Sequence, residues 1–179
     1  MDVMAGDSGR ENRDVFEELL ACREQVFRIC LGFTRNPQDA EELAQDVYLK
    51  AHANRETIRT PAAAKSWLLR IARNTCLDHR KKGRTPRPLS FEEAGEPMDG
   101  LDNERRRAAN EKLELVKISV ERLPRKLKET FVLREYGELT YEEISRVLKT
   151  SPGTVMSRLN RARRALAALV EEAENGRRS

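Results

Sequence analysis

Metal-binding and disulfide chemistry find little to build on in this chain. It has three cysteines, Cys22, Cys30 and Cys76, and two histidines, His52 and His79. No two cysteines form a CxxC pair, so no zinc or other metal site is expected. Each cysteine falls on or near an apolar stripe, where a free thiol serves as a small hydrophobe. Aromatic residues make up only 5% of the chain and no stretch alternates over strand length, so the core has to come from aliphatic stripes on helices. No apolar run is long enough to span a membrane and no signal peptide is visible, which places the chain in the cytoplasm with no membrane insertion. Gly-rich phosphate loops, metal clusters and nucleophile–base pairs are missing as well. An enzyme is therefore unsupported, and no cofactor is expected.

Charge is what the chain has in quantity: 36% of its 179 residues are Asp, Glu, Lys or Arg, with a net charge of +4. That small net value hides segregation. Seven basic residues lie between Arg70 and Arg87 against one acid, Asp78. Six acids and no base follow from Phe91 to Glu104, and from Ile144 to Val170 there is no acid at all. Two cationic stretches separated by an acidic connector suit two contacts with one polyanion.

The densest signal runs from Thr140 to Arg164. Thr140 followed by Glu143 is a capping box, and Ile144, Val147 and Leu148 repeat at helical spacing behind it. Lys149-Thr150 leaves only a tight corner before Ser151 caps a second helix with Pro152 in its first turn. That helix is expected to bury Val155, Leu159, Ala162 and Leu166 while Arg158, Arg161, Arg163 and Arg164 face outward. A helix-turn-helix with a cationic second helix is built to enter the major groove.

The same punctuation organises the rest. Residues 1–12 look like a disordered lead-in. One long helix carries Val15, Phe16, Leu19, Leu20, Val26, Phe27 and Cys30. Asn36-Pro37 caps a helix with Ala40, Leu43, Ala44, Val47, Tyr48 and Ala51 on one face and Asp39, Glu41, Glu42 and Asp46 on the other. Thr60-Pro61 opens a third, burying Leu68, Ile71, Ala72 and Thr75, with Trp67 at the edge of the stripe and Arg70, Arg73, Asn74 and Asp78 outside it. Pro86, Pro88, Gly95, Pro97 and Gly100 mark a linker. The expectation is all-α: a domain at 13–84, a flexible acidic linker at 85–110, a helix-turn-helix domain at 111–172 and a tail at 173–179.

Three segments carry a family resemblance. Asp39-Ala40-Glu41-Glu42-Leu43-Ala44-Gln45-Asp46-Val47-Tyr48, the run Trp67–Asn74 with Asp78, and Leu139–Ile144 with Gly153-Thr154-Val155 and Ser157-Arg158-Leu159 resemble, in order, three parts of the sigma-70 family. They are most similar to its extracytoplasmic-function (ECF) group. The resemblance implies a sigma region 2-like helical bundle and a sigma region 4-like helix-turn-helix, with core RNA polymerase and promoter DNA as partners and an anti-sigma factor as a further one. It implies that Asp39, Glu42, Gln45 and Asp46 bind the clamp helices of polymerase. An acidic face repels DNA and suits a cationic protein surface, which agrees. It implies that Asn74, with the loop 53–60, holds a flipped −10 base while Arg70, Arg73, Arg80, Lys81, Lys82 and Arg84 serve melting and phosphate contact. It implies that Thr154, Met156, Ser157, Arg158, Asn160, Arg161 and Arg164 meet the −35 element. Arg161 is suited to guanine and Asn160 to adenine, with Arg158, Arg163 and Arg164 on phosphates. Met156 departs from the family pattern, where a cation is common. The alternative is a stand-alone helix-turn-helix regulator, which would leave the acidic helix and the Trp67–Asp78 helix without a task.

Overall fold

In the computed structural model, residues 15–81 apart from Arg59, and 114–176, are described. The lead-in at 1–12, the linker at 85–110, and Lys82 and Arg84 lie outside them. The described chain is helical and holds no strand. Helix α1 spans 15–21, α2 Arg23–Thr34, α3 Pro37–Ala53 and α4 Pro61–Lys81, with a short 3-10 turn Arg55–Thr57 between the last two. In the C-terminal half, α5 spans 114–122, α6 Arg125–Glu135, α7 Tyr141–Leu148 and α8 Pro152–Gly176.

The caps form where the side chains dictate. Asn36 Oδ1 accepts from the backbone N–H of Gln38 at 2.9 Å and of Asp39 at 3.1 Å, satisfying two orphan donors of α3. The Thr140 hydroxyl accepts from Glu143 N at 3.2 Å while the Glu143 carboxylate accepts from Thr140 N at 2.8 Å, a closed capping box. Ser151 Oγ accepts from Thr154 N at 3.1 Å at the start of α8. The single long helix expected over 15–30 is interrupted. At Cys22 the backbone tightens, its N–H donating to the Leu19 carbonyl at 3.2 Å, and α1 and α2 meet at that turn.

The expected stripes are buried: Ala40, Leu43, Val47 and Ala51 on α3, Leu68, Ala72 and Thr75 on α4, and Val155, Leu159, Ala162 and Leu166 on α8. Trp67 is half-buried against the core. Cys22, Cys30 and Cys76 are all buried free thiols, with Cys30 and Cys76 Sγ atoms 3.7 Å apart. Burial pushes the Cys22 thiol pKa up, which keeps it protonated and inert. The last helix continues through Gly176, into the segment expected as tail.

A tether between two small domains left their relative placement open. Here they abut: α2 packs on α6 and α4 on α7, so that Ile29, Phe33 and Leu69 belong to one buried cluster with Val132, Leu133, Ile144 and Val147. Glycine makes the closest approach possible. A Cβ at Gly32 of α2 would lie 2.7 Å from Tyr136 Cγ and from Val132 Cγ1 of the other half. One at Gly137 would lie 3.0 Å from Ile29 Cγ1.

Lys149, the corner of the helix-turn-helix, sits at φ 49°, ψ 55°, in the left-handed region that costs a residue with a Cβ about 1–2 kcal/mol. Glycine is the usual occupant of this position after a helix. Lys149→Gly is accordingly expected to raise unfolding free energy by about 1 kcal/mol, read as a shifted midpoint in urea denaturation.

Candidate nucleic-acid interface

Three surfaces carry the expected site residues. On α8, Met156, Ser157, Asn160, Arg161 and Arg164 are exposed, while Thr154 and Arg158 are half-buried. All lie on the first half of a helix whose opposite side, Val155 and Leu159, is sealed into the core. Arg161 rests along its own helix, with Nε donating to the Ser157 carbonyl at 3.3 Å, a weak local bond that a base edge can replace. The Met156 side chain is 51% exposed, apolar where its neighbours are polar, and fit to touch a thymine methyl rather than a phosphate. This surface is the one the sequence read most directly.

The second surface is the acidic side of α3. Glu41, Glu42, Gln45 and Asp46 are exposed and Asp39 half so. An open groove of about 900 Å³ runs beside it against α1 and α2, and Glu41, Gln45, Leu20 and Tyr48 are among its lining residues. The Tyr48 hydroxyl donates to the Leu19 carbonyl at 2.9 Å, and burial lifts its pKa to about 12. Leu20 and Leu49, 50% and 68% exposed, add apolar area around the carboxylates. Leu49 was missed from sequence. It lies off the apolar stripe, one turn beyond Asp46, and its position outside the core was its only signal. Leu20 was assigned to the buried face and is exposed.

The third surface, on α4, differs from expectation in its partners. Asn74 is exposed, and its Oδ1 accepts from Arg73 Nη1 at 2.9 Å. Arg73 Nε also donates to Glu129 Oε2 of α6 at 2.9 Å, and the Glu129 side chain is only 4% exposed. Arg80 pairs with Glu121 of α5 at 3.7 Å. Arg70 Nη2 reaches the Arg146 carbonyl of α7 at 3.5 Å. Lys81 pairs with Asp78 on its own helix at 3.0 Å. In the loop between α3 and α4 the hydrogen bonds are local: Arg55 donates to the His52 carbonyl and the Thr57 hydroxyl to that of Asn54. Asn74 and Arg73 are thus side by side, while Arg70, Arg73 and Arg80 all face the C-terminal half.

Lys65, one turn into α4, meets Glu143 of the capping box at 2.6 Å. Burial alone would raise the Glu143 pKa, but hydrogen bonds from Lys65 and from the Thr140 N–H outweigh it and hold the carboxyl below its ordinary range. Among the described residues no group of three His, Cys, Asp or Glu side chains is gathered to hold a metal ion. No helix among them is long and apolar enough to cross a membrane.

Comparison with known proteins agrees in both halves. Residues 19–85 match the family model for sigma-70 region 2, and residues 119–166 that for sigma-70 region 4. The chain is 30% identical over 167 residues to the RNA polymerase sigma-H factor of Pseudomonas aeruginosa, covering 88% of this chain and 86% of that one. It is 31% identical over 137 residues to the ECF RNA polymerase sigma-E factor of Escherichia coli, covering 72% of each. In fold it is similar to the sigma factor RpoE solved in complex with the anti-sigma factor NepR from Bartonella quintana. The TM-score there is 0.63 at 22% identity, covering 89% of this chain and 98% of that one.

Proposed function

This chain belongs to the ECF group of the sigma-70 family, and from that premise we propose how its three surfaces divide the work of promoter recognition. A sigma factor is not an enzyme: it binds core RNA polymerase and directs it to promoters, and this chain does so. The observation that carries the assignment of surfaces is the opposite sign of two exposed faces. Asp46 and its neighbours on α3 repel DNA, and the first half of α8 attracts it.

In this reading Asp39, Glu42, Gln45 and Asp46 dock on a cationic surface of polymerase, and Leu20 and Leu49 supply the apolar contact that charge alone does not. The first turns of α8 enter the major groove at the −35 element, where Arg161 and Asn160 read base edges while Arg158 and Arg164 position the helix on phosphates. The α4 face takes the −10 element: Asn74 offers an amide to an unstacked base, and Arg70, Arg73, Arg80 and Lys81 offer cations to the strand beside it. Lys82 and Arg84 extend that cationic run. The protein works in the cytoplasm and is held in check by an anti-sigma factor that covers these faces.

The test is in vitro transcription with bacterial core polymerase on a pool of promoter fragments. Transcripts that appear only with this protein and share upstream motifs are the expected result. Tight binding of duplex DNA by the protein alone, with no new transcripts, would make it a stand-alone regulator instead. Asp46→Arg is expected to weaken binding to core polymerase about tenfold or more, since a like charge replaces an attractive one. Duplex DNA binding by the same variant should not weaken. Unchanged polymerase affinity would remove α3 from the interface.

A further inference from the structure

Two sulfurs meet inside the N-terminal bundle. Cys30 of α2 and Cys76 of α4 lie 46 residues apart in the chain and are 0% and 1% exposed. The Cys76 thiol donates to Cys30 Sγ across 3.7 Å, within a buried cluster that includes Ile29, Phe33, Leu69 and Ala72. A disulfide holds its sulfurs about 2.0 Å apart, so the pair stands within about 2 Å of bonding distance. A turn about one Cα–Cβ bond moves a sulfur by that much. Cys22 is equally buried, at 2%, and takes no part in this contact. Burial is common to all three thiols; what sets the pair apart is that its sulfurs touch.

We propose that Cys30 and Cys76 are an oxidisable dithiol, a modification site at which a peroxide ties α2 to α4 through a disulfide. One sulfur attacks a peroxide oxygen, the O–O bond breaks, and a sulfenic acid forms as the first water leaves. The second sulfur attacks the first, making the S–S bond and releasing another water. Two S–H bonds are lost, and the peroxide takes up both electrons and both protons. Contact between the sulfurs favours this closure over reaction with a thiol from solution. In a reducing compartment the pair stays as thiols, and only an oxidant fills the site. The reaction is slow. The hydrogen bond between the thiols and their burial raise the Cys76 pKa, against the pull of the Lys128 ammonium, and leave little thiolate to react. The pair therefore answers sustained oxidant rather than a brief pulse.

The position of the tie gives it a use. The loop it closes contains all of α3, with its acidic face. Lys50 of α3 already donates to the Thr75 hydroxyl, next to Cys76, at 3.1 Å. Asn74, two residues before Cys76, is on the exposed side of α4. A disulfide here holds the helices of the acidic and α4 surfaces in one unit, chiefly by restricting the unfolded chain.

The test treats the full chain with millimolar hydrogen peroxide for several hours. The protein is then denatured without reductant, alkylated with iodoacetamide and mapped after trypsin. The expected product joins peptide 29–35 to peptide 74–80, while peptide 14–23 carries an alkylated Cys22. Dithiothreitol should separate the joined peptides. The thermal midpoint of the oxidised chain should rise by about 5–15 °C, and that of Cys76→Ala should not. Alkylation of all three cysteines after the exposure would overturn the proposal, as would links to Cys22 in equal amount. An equal rise in Cys76→Ala, or none in the cross-linked wild type, would overturn the tie as the source of stability. The peptide map is read on the wild-type chain, so it decides the linkage even where Cys76→Ala folds poorly.

Discussion

Glu121→Ala is expected to lower the free energy of unfolding by about 3–5 kcal/mol at neutral pH, and Lys128→Met to change it by less than about 1 kcal/mol. The two residues form an ion pair, and the Lys128 side chain is 1% exposed. Its ammonium lies 5.9 Å from the centroid of the Phe33 ring, beneath the seam between the halves. Removing the carboxylate leaves a buried cation that Arg80 and Arg35 oppose. Removing the cation leaves Glu121 partly exposed and still paired with Arg80, so little is stranded. Urea denaturation of the two variants reads the asymmetry directly. Equal losses would mean that Lys128 is neutral in the folded chain.

The same lysine sets a pH dependence. Burial lowers its pKa from the ordinary 10.5, against the pull of Glu121. Between the lowered native value and 10.5 the unfolded chain binds more protons than the folded one, so this group makes stability rise with pH across that window. Cys22, Cys76, Tyr48 and Tyr136, whose pKa values are raised, act oppositely: their contribution is lost as pH climbs through the raised values. The difference between wild type and Lys128→Met cancels those shared groups. It should move in favour of wild type as pH rises toward 10.5.

Arg161→Ala is expected to weaken binding to the selected −35 duplex by about 1–3 kcal/mol, roughly 5- to 150-fold, and to relax preference at one base position. Arg161 is exposed, and among the described residues no ion pair holds it; its bond to the Ser157 carbonyl is local. The variant therefore tests DNA contact without disturbing the core behind α8. Competition with duplexes altered at single positions reads the specificity. A uniform loss across all sequences would make Arg161 a phosphate contact, as proposed for Arg158 and Arg164.

Caps and stripes were legible because they are local. Asn36, Thr140, Glu143 and Ser151 need only the next few residues to do their work, and the stripes of α3 and α8 repeat within one helix. The seam was not, because its partners lie far apart in the chain, as Arg73 and Glu129 do. Lys128 and Glu129 look like solvent charges in a polar run, but become buried only when α2 and α4 are laid over α6. Gly32, a helix-weakening residue inside α2, was a sequence signal of a close approach. For the functional surfaces the same division holds. The α8 face follows from periodicity and the acidic α3 face from charge. That the α4 cations face carboxylates of the other half required the tertiary packing.

That Lys65, Arg73 and Arg80 of α4 meet Glu143, Glu129 and Glu121 of the other half has a consequence for counterions. A cation and a carboxylate that neutralise each other hold fewer ions from solution than the two would apart, so the closed seam carries a thinner ion atmosphere than its charge content suggests. Glu121 and Glu129 each have a further cation in their own half, Lys128 and Arg125, and would keep that neutralisation without α4. Added salt screens the exposed pairs and leaves the apolar contact between the halves untouched, so the packing of the two halves should depend little on ionic strength.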